Sequence, residues 1–247
     1  MFRSDFIDIV QIAHQSSVKF YDNEEHIGKA NPFFIGFGNP NSDLLILGKE
    51  KGFETGNSEQ LNFESIKNPN EWLYNIQNKT QYHKGKQYAT SKHYLNAYFP
   101  YNGKMKSGHT WNKYSKLTSE LLDNPALTEN NSFLEYAFIS EVNHEPSKYS
   151  KIRKFDFQTR INFLNNDFYK SFQYTILGCG NYLSLKTIEE TFDVKFCEDY
   201  SKPREKLVFF KNGKRKLILT RQLSMDIRNE FITTLVQLLN EEKKSYT

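Results

Sequence analysis

Carboxylates are missing from a long central stretch of this chain. Between Trp72 and Ser119 there is no Asp or Glu. The same stretch carries Lys79, Lys84, Lys86, Lys92, Lys104, Lys106, Lys113 and Lys116, so its positive charge stands uncompensated. Cysteine is scarce as well. Cys179 and Cys197 cannot supply the four ligands of an iron–sulfur cluster, and they lie too far apart for a local metal knuckle. Two such thiols fit a reducing compartment, so a cytoplasmic location is expected. Long apolar runs are absent too. Nothing approaches the roughly 18 consecutive apolar residues of a bilayer span, and no membrane partner is expected. Asp5 and Asp8 are unlike the start of a secretory signal. The apolar fraction is 38%, low for a globular chain, but aromatics at 15% supply bulky core material.

The acid-free stretch is also rich in rings. Tyr74, Tyr82, Tyr88, Tyr94, Tyr98, Tyr101 and Tyr114 lie among its lysines. Lysines neutralise phosphates and release counterions, and tyrosines stack on bases, so the pattern points to nucleic acid. Lys84, Lys86, Lys104 and Lys106 are the candidate phosphate contacts. His83, His93 and His109 lack the tight spacing of metal ligands, and no metal site is expected.

The length of 247 residues suits one α/β domain with an insertion. Phe6, Ile9, Val10, Ala13 and Val18 mark an amphipathic helix over Ser4–Phe20 with Ser4 as its N-cap. Leu44–Gly48 reads as the first strand, Tyr136–Val142 as the second and Tyr174–Leu177 as the third. Residues 54–110 are polar and turn-rich, and read as an inserted basic, aromatic lobe with short helices. Trp111 to Leu122 restores a helical period. Phe157, Ile161, Leu164 and Phe168 form a helix stripe, and Asn181 is a candidate cap for a helix through Phe192. Asn212-Gly213 signals a hairpin between Leu207–Phe210 and Leu217–Thr220. A last helix runs through Ile227 and Leu239. Strand and helix alternate, which predicts a three-layer α/β/α sandwich with a mostly parallel central sheet.

The most informative run is Gly36 to Phe53. Asn39-Pro40 punctuates a turn, Leu44 to Leu47 is continuously apolar as in a strand covered on both faces, and Gly48 and Gly52 bracket a charged loop. In open α/β sheets the ligand lies outside the carboxyl ends of the strands, where this loop falls. The run resembles the first motif of the uracil-DNA glycosylase superfamily. Members there carry Gly-Asn-Pro, a spacer, Asp-Leu, a hydrophobic strand and then Gly-Glu-Ala-Pro-Gly or Gly-Gln-Asp-Pro-Tyr. Here the order is Gly38-Asn39-Pro40, Asp43-Leu44 and Gly48-Lys49-Glu50-Lys51-Gly52. The acid stands third in the loop, as in the Asp-bearing version, and Lys51 replaces the proline. The resemblance continues through Phe138 to His144, where members have an Asn-bearing strand end. It continues through Leu177 to Gly180 and through Thr220 to Ser224, where members have His-Pro-Ser. It covers most of the chain outside residues 54–110, and it implies a uracil-DNA glycosylase-like fold.

That resemblance implies roles for the strand ends. Cleaving an N-glycosidic bond requires the base to leave the stack and enter a pocket. The sugar then develops oxocarbenium character, which a carboxylate stabilises while a water is oriented for attack. Glu50 is the candidate for both tasks. Lys49 and Lys51 either hold it ionised or contact flanking phosphates. Gln222 falls at the family histidine and can donate to the base. Glu141 falls where uracil enzymes carry Asn, and an ionised carboxylate offers only acceptors, which suits an exocyclic amine and points to cytosine or a modified cytosine. A shift of the alignment along this turn places Asn143 in the pocket instead and restores amide recognition. Phe53 and Trp111 are candidates to stack on the base, and Arg221 and Ser224 to touch the DNA backbone.

The expectation is thus a monomeric, cofactor-free and metal-independent DNA glycosylase. A pocket for a bulky modified base would suit defence against phage DNA. The alternative is a non-catalytic nucleic-acid-binding protein on the same fold, since Lys49 and Gln222 replace residues that usually act. A metal-dependent nuclease would want clustered Asp and Glu, and the sequence presents no such cluster.

Overall fold

A computed structural model describes residues 1–50, 58–80, 97–98, 100, 109–128, 132–146, 154–223 and 227–241. Seven strands are found among them: β1 (Phe37–Gly38), β2 (Leu44–Gly48), β3 (Ala137–Glu141), β4 (Tyr174–Leu177), β5 (Lys195–Phe196), β6 (Leu207–Asn212) and β7 (Arg215–Thr220). They form one mixed sheet in the order β1-β3-β2-β4-β7-β6-β5. The four inner strands β3, β2, β4 and β7 are parallel, while β1 and β6 run against them. β2 is buried along its whole length, which is why its apolar run is unbroken.

The chain leaves β2 for β3 on one side and then returns to β4 on the other. Strand order therefore reverses at β2. Connections diverge there, and in open α/β sheets ligands bind outside the carboxyl ends at such a point.

Eight α-helices are described: α1 (Ser4–Tyr21), α2 (Ser58–Leu61), α3 (Asn68–Gln77), α4 (His109–Leu121), α5 (Lys154–Leu164), α6 (Asp167–Lys170), α7 (Leu185–Phe192) and α8 (Asn229–Asn240). They cover both faces of the sheet. Phe138 and Glu141 are three apart on β3, so their side chains leave opposite faces. The Phe138 ring meets Phe6 of α1 at 6.0 Å and Phe168 of α6 at 5.2 Å. Opposite, the Glu141 carboxylate lies over Gly48, beside the hydroxyl of Tyr114 on α4. Among the described residues, no helix is long and apolar enough to cross a membrane.

Several local expectations need correction. Ser4 is the first helical residue, and Arg3 holds the cap position without a side-chain bond. A short strand, β1, precedes the one expected first. The stripe from Phe157 to Phe168 is broken after Leu164, because the Asn166 side chain caps a new helix by accepting from the Phe168 N–H at 3.0 Å. The cap of α7 is Ser184, whose hydroxyl accepts from the Thr187 N–H at 3.1 Å, and not Asn181. The hairpin forms as expected, with Asn212 paired to Arg215 and Gly213 at φ +56°.

The 54–110 segment contributes directly to the main core. Trp72 of α3 is fully buried against Phe6, and its Nε1–H donates to the Gly36 carbonyl at 2.8 Å. Asn68 donates to the same carbonyl at 3.0 Å and accepts from the Ile35 N–H at 2.9 Å. Most of the lysine- and tyrosine-rich part of the segment lies outside the described residues.

Candidate active site

The carboxyl ends of β2, β3 and β4 are stitched together beyond the strands themselves. Val142 N–H donates to the Gly48 carbonyl and Asn143 N–H to that of Lys49, each at 2.9 Å. Gly178 N–H donates to the Leu47 carbonyl at 2.8 Å. This ladder fixes three turns, Gly48 to Glu50, Val142 to His144, and Gly178 to Tyr182, side by side at the point where strand order reverses.

Glu50 stands at its centre and is only 8% exposed. Its Oε2 accepts from the Tyr182 hydroxyl, across the gap between β2 and β4. Its Oε1 lies 3.8 Å from Lys49 Nζ. The same ammonium sits 4.7 Å from the centre of the Tyr182 ring, a cation–π arrangement. Phe157 of α5 meets that ring edge-on at 6.3 Å. Burial pushes the Tyr182 phenol up, and the hydrogen bond to Glu50 and its charge push the same way. Tyr182 is therefore a protonated donor and Glu50 the acceptor.

Asn143 is 1% exposed. Its Oδ1 accepts from the Glu145 N–H at 3.2 Å, which leaves Nδ2 as the donor side of the amide. The amide also hydrogen-bonds to the Tyr182 hydroxyl, which opposes part of the upward push on that phenol, and Nδ2 makes no closer bond among the described residues. An amide nitrogen carries two N–H donors, so Nδ2 keeps one to offer and is a candidate ligand contact. Next to it, His144 is buried, and neither ring nitrogen is bonded among the described residues. Burial, and secondly the Arg160 charge, lower its pKa to about 3, so the imidazole is neutral. Cys179 on the β4 turn is also neutral, since burial pushes its thiol up to about 12.

The remaining expected residues are distributed around this centre. Glu141 ends β3, with its carboxylate over Gly48, where any Cβ would collide with it. Burial first, and the Glu141 charge second, push the neighbouring Tyr114 phenol up. Gln222 follows β7 at the same end of the sheet and is half-buried. Its neighbour Leu223 is fully buried and lies against Gly178 of the β4 turn, so the β7 turn is pinned to the same rim. Arg221 is exposed, with its guanidinium 4.8 Å from the Phe231 ring of α8. Trp111 meets Phe133 edge-on at 6.0 Å, in the turn that leads into β3. Lys51, Phe53, Lys84, Lys86, Lys104, Lys106 and Ser224 lie outside the described residues.

Glu50, Lys49 and Asn143 are thus brought together, and Glu141 and Gln222 share their end of the sheet. Tyr182 was not anticipated. It follows Gly178-Cys179-Gly180, a strand end whose position beside β2 depends on the assembled sheet. Among the described residues, no three His, Cys, Asp or Glu side chains converge as metal ligands would. No protein-family model matches the chain, and no curated protein matches it in sequence. The arrangement offers a buried, oriented carboxylate beside a buried amide donor at the carboxyl ends of the strands. That pair can stabilise a developing positive charge while holding a neutral group that presents an acceptor.

Proposed function

We propose that this protein is a DNA glycosylase with a uracil-DNA glycosylase-like fold. In this reading it hydrolyses the N-glycosidic bond of a base flipped out of DNA. The observation that carries the reading is Glu50, a carboxylate nearly excluded from solvent at the strand-order reversal, with a donor or cation against each of its oxygens. A carboxylate so held is suited to the positive charge that grows on the sugar as the bond to the base breaks. It is also suited to orienting the water that adds at C1′, while the base departs with the bonding electrons.

Asn143 is the better candidate to read the base edge. Its Nδ2 offers a donor, which fits a ring carbonyl. Glu141 retains a second reading. Its carboxylate at the last position of β3 would fit an exocyclic amine, as on a modified cytosine. Gln222, Arg221 and the lysines of the acid-free stretch would then grip the strand, with no cofactor or metal invoked.

The test is a panel of duplexes, each with one uracil, thymine, cytosine or modified cytosine, analysed by mass for free base. Release of one base class supports hydrolysis. Tight binding of the same duplexes with no base released would favour the alternative, a nucleic-acid-binding protein on a glycosylase-like fold.

A further inference from the structure

We propose that Tyr182 is the positioning residue of the Glu50 carboxylate, and that Lys49 clamps the pair into a three-part unit. The role rests on the hydrolytic reading above, and the geometry of the unit can be judged without it. Tyr182 belongs to the turn after β4, and Glu50 to the turn after β2. Their hydrogen bond therefore links the ends of two neighbouring strands and joins two segments 132 residues apart in sequence. Lys49 engages both members at once, at 3.8 Å from Glu50 Oε1 and 4.7 Å from the Tyr182 ring centre. Phe157 packs at right angles to the same ring, with centroids 6.3 Å apart.

Each part has a distinct physical task. The phenol is a short, rigid donor whose ring packs against both the Lys49 ammonium and Phe157, which limits the freedom of its hydroxyl to leave Oε2. A charge-assisted bond of this kind is about twice as strong as a neutral one. It also fixes the carboxylate plane, which a buried Glu with three rotatable bonds does not do for itself. Lys49 balances the negative charge that burial would otherwise penalise. The carboxylate is then oriented before any substrate arrives, the condition under which electrostatic stabilisation costs no reorganisation during reaction. Tyr182 does not touch the reacting atoms in this account. It acts through Glu50.

Two measurements test the unit. Tyr182→Phe removes one oxygen and keeps the ring under Lys49. It should lower kcat for base release by roughly tenfold to a hundredfold and leave KM nearly unchanged. A residue that only supports the fold would lower thermal stability without that split. Separately, fluorotyrosine incorporated at position 182 reports its own ionisation by fluorine NMR. The titration should move to lower pH in Glu50→Gln, because both the bond to the carboxylate and its charge are lost. Full kcat in Tyr182→Phe, or an identical fluorine titration with and without the Glu50 charge, would overturn the proposal. No base release from any duplex, with the fluorine titration still coupled to Glu50, would overturn the hydrolytic role and leave the clamp as a bound-carboxylate unit of another function.

Discussion

Arg160 grips the carbonyl oxygen of Glu141 twice, through Nε at 3.0 Å and Nη2 at 2.7 Å. The guanidinium is fully buried, and it also donates to the Ser140 hydroxyl at 2.9 Å and to the carbonyls of Pro32 and Phe34. One side chain of α5 thus ties the carboxyl end of β3 to the loop before β1. The turn that carries Asn143 and His144 starts from this anchor. Arg160→Met should cost at least about 3 kcal/mol, since it strands several buried acceptors at once. Denaturant unfolding checks this. A loss below about 1 kcal/mol would show that the carbonyls find other partners.

His144 gives the fold a pH dependence whose sign is fixed by its burial. The unfolded chain takes up the imidazole proton near 6.5, and the folded protein only near 3. Between those values the unfolded state binds more protons, so stability falls as pH falls. The contribution is fully present above 6.5, and about 2 kcal/mol of it is lost between pH 7 and pH 5. His144→Gln should flatten that part of the stability profile. Equal pH dependence in the two proteins would place the sensitivity elsewhere.

The parts of the fold written in short-range pattern were legible in the sequence. The unbroken Leu44–Leu47 run announced β2, and Asn212-Gly213 announced the β6–β7 hairpin. Glu50 was legible because it sits in a loop bracketed by glycines directly after a buried strand. What was not legible depends on distant partners. Phe157, Ile161, Leu164 and Phe168 keep a helical period across the break at Asn166, so periodicity alone could not see the break. Trp72 lies in a polar stretch, and its partner carbonyl, that of Gly36, is 36 residues away. Tyr182 meets Glu50 only because β4 lies beside β2, a relation that no local signal encodes.

Base choice follows from the orientation of the Asn143 amide. With Oδ1 accepting from the Glu145 N–H, the amide presents its donor side. Asn143→Asp places an acceptor there. Release of a carbonyl-bearing base should fall by about tenfold to a hundredfold, with relative gain for an amino-bearing one. Competition between uracil and cytosine duplexes measures the ratio. An unchanged ratio in Asn143→Asp, with a changed one in Glu141→Asn, would assign the reading to Glu141.

The acid-free stretch makes a prediction from charge alone. Changing Lys84, Lys86, Lys104 and Lys106 to Gln should weaken DNA binding for every sequence. It should reduce the slope of log affinity against log salt by up to about 3–4. The order of preference among bases should not change. An unaltered salt slope would remove these lysines from the interface.

The most direct test of the central claim is the mass of free base released from the duplex panel by the native protein and by Glu50→Gln. Hydrolysis at Glu50 predicts one base class released by the native protein. It also predicts release slowed by about a hundredfold or more in the variant, with DNA affinity preserved. Equal release by the two proteins would contradict the role given to Glu50, and intact duplex with both would contradict the glycosylase reading itself.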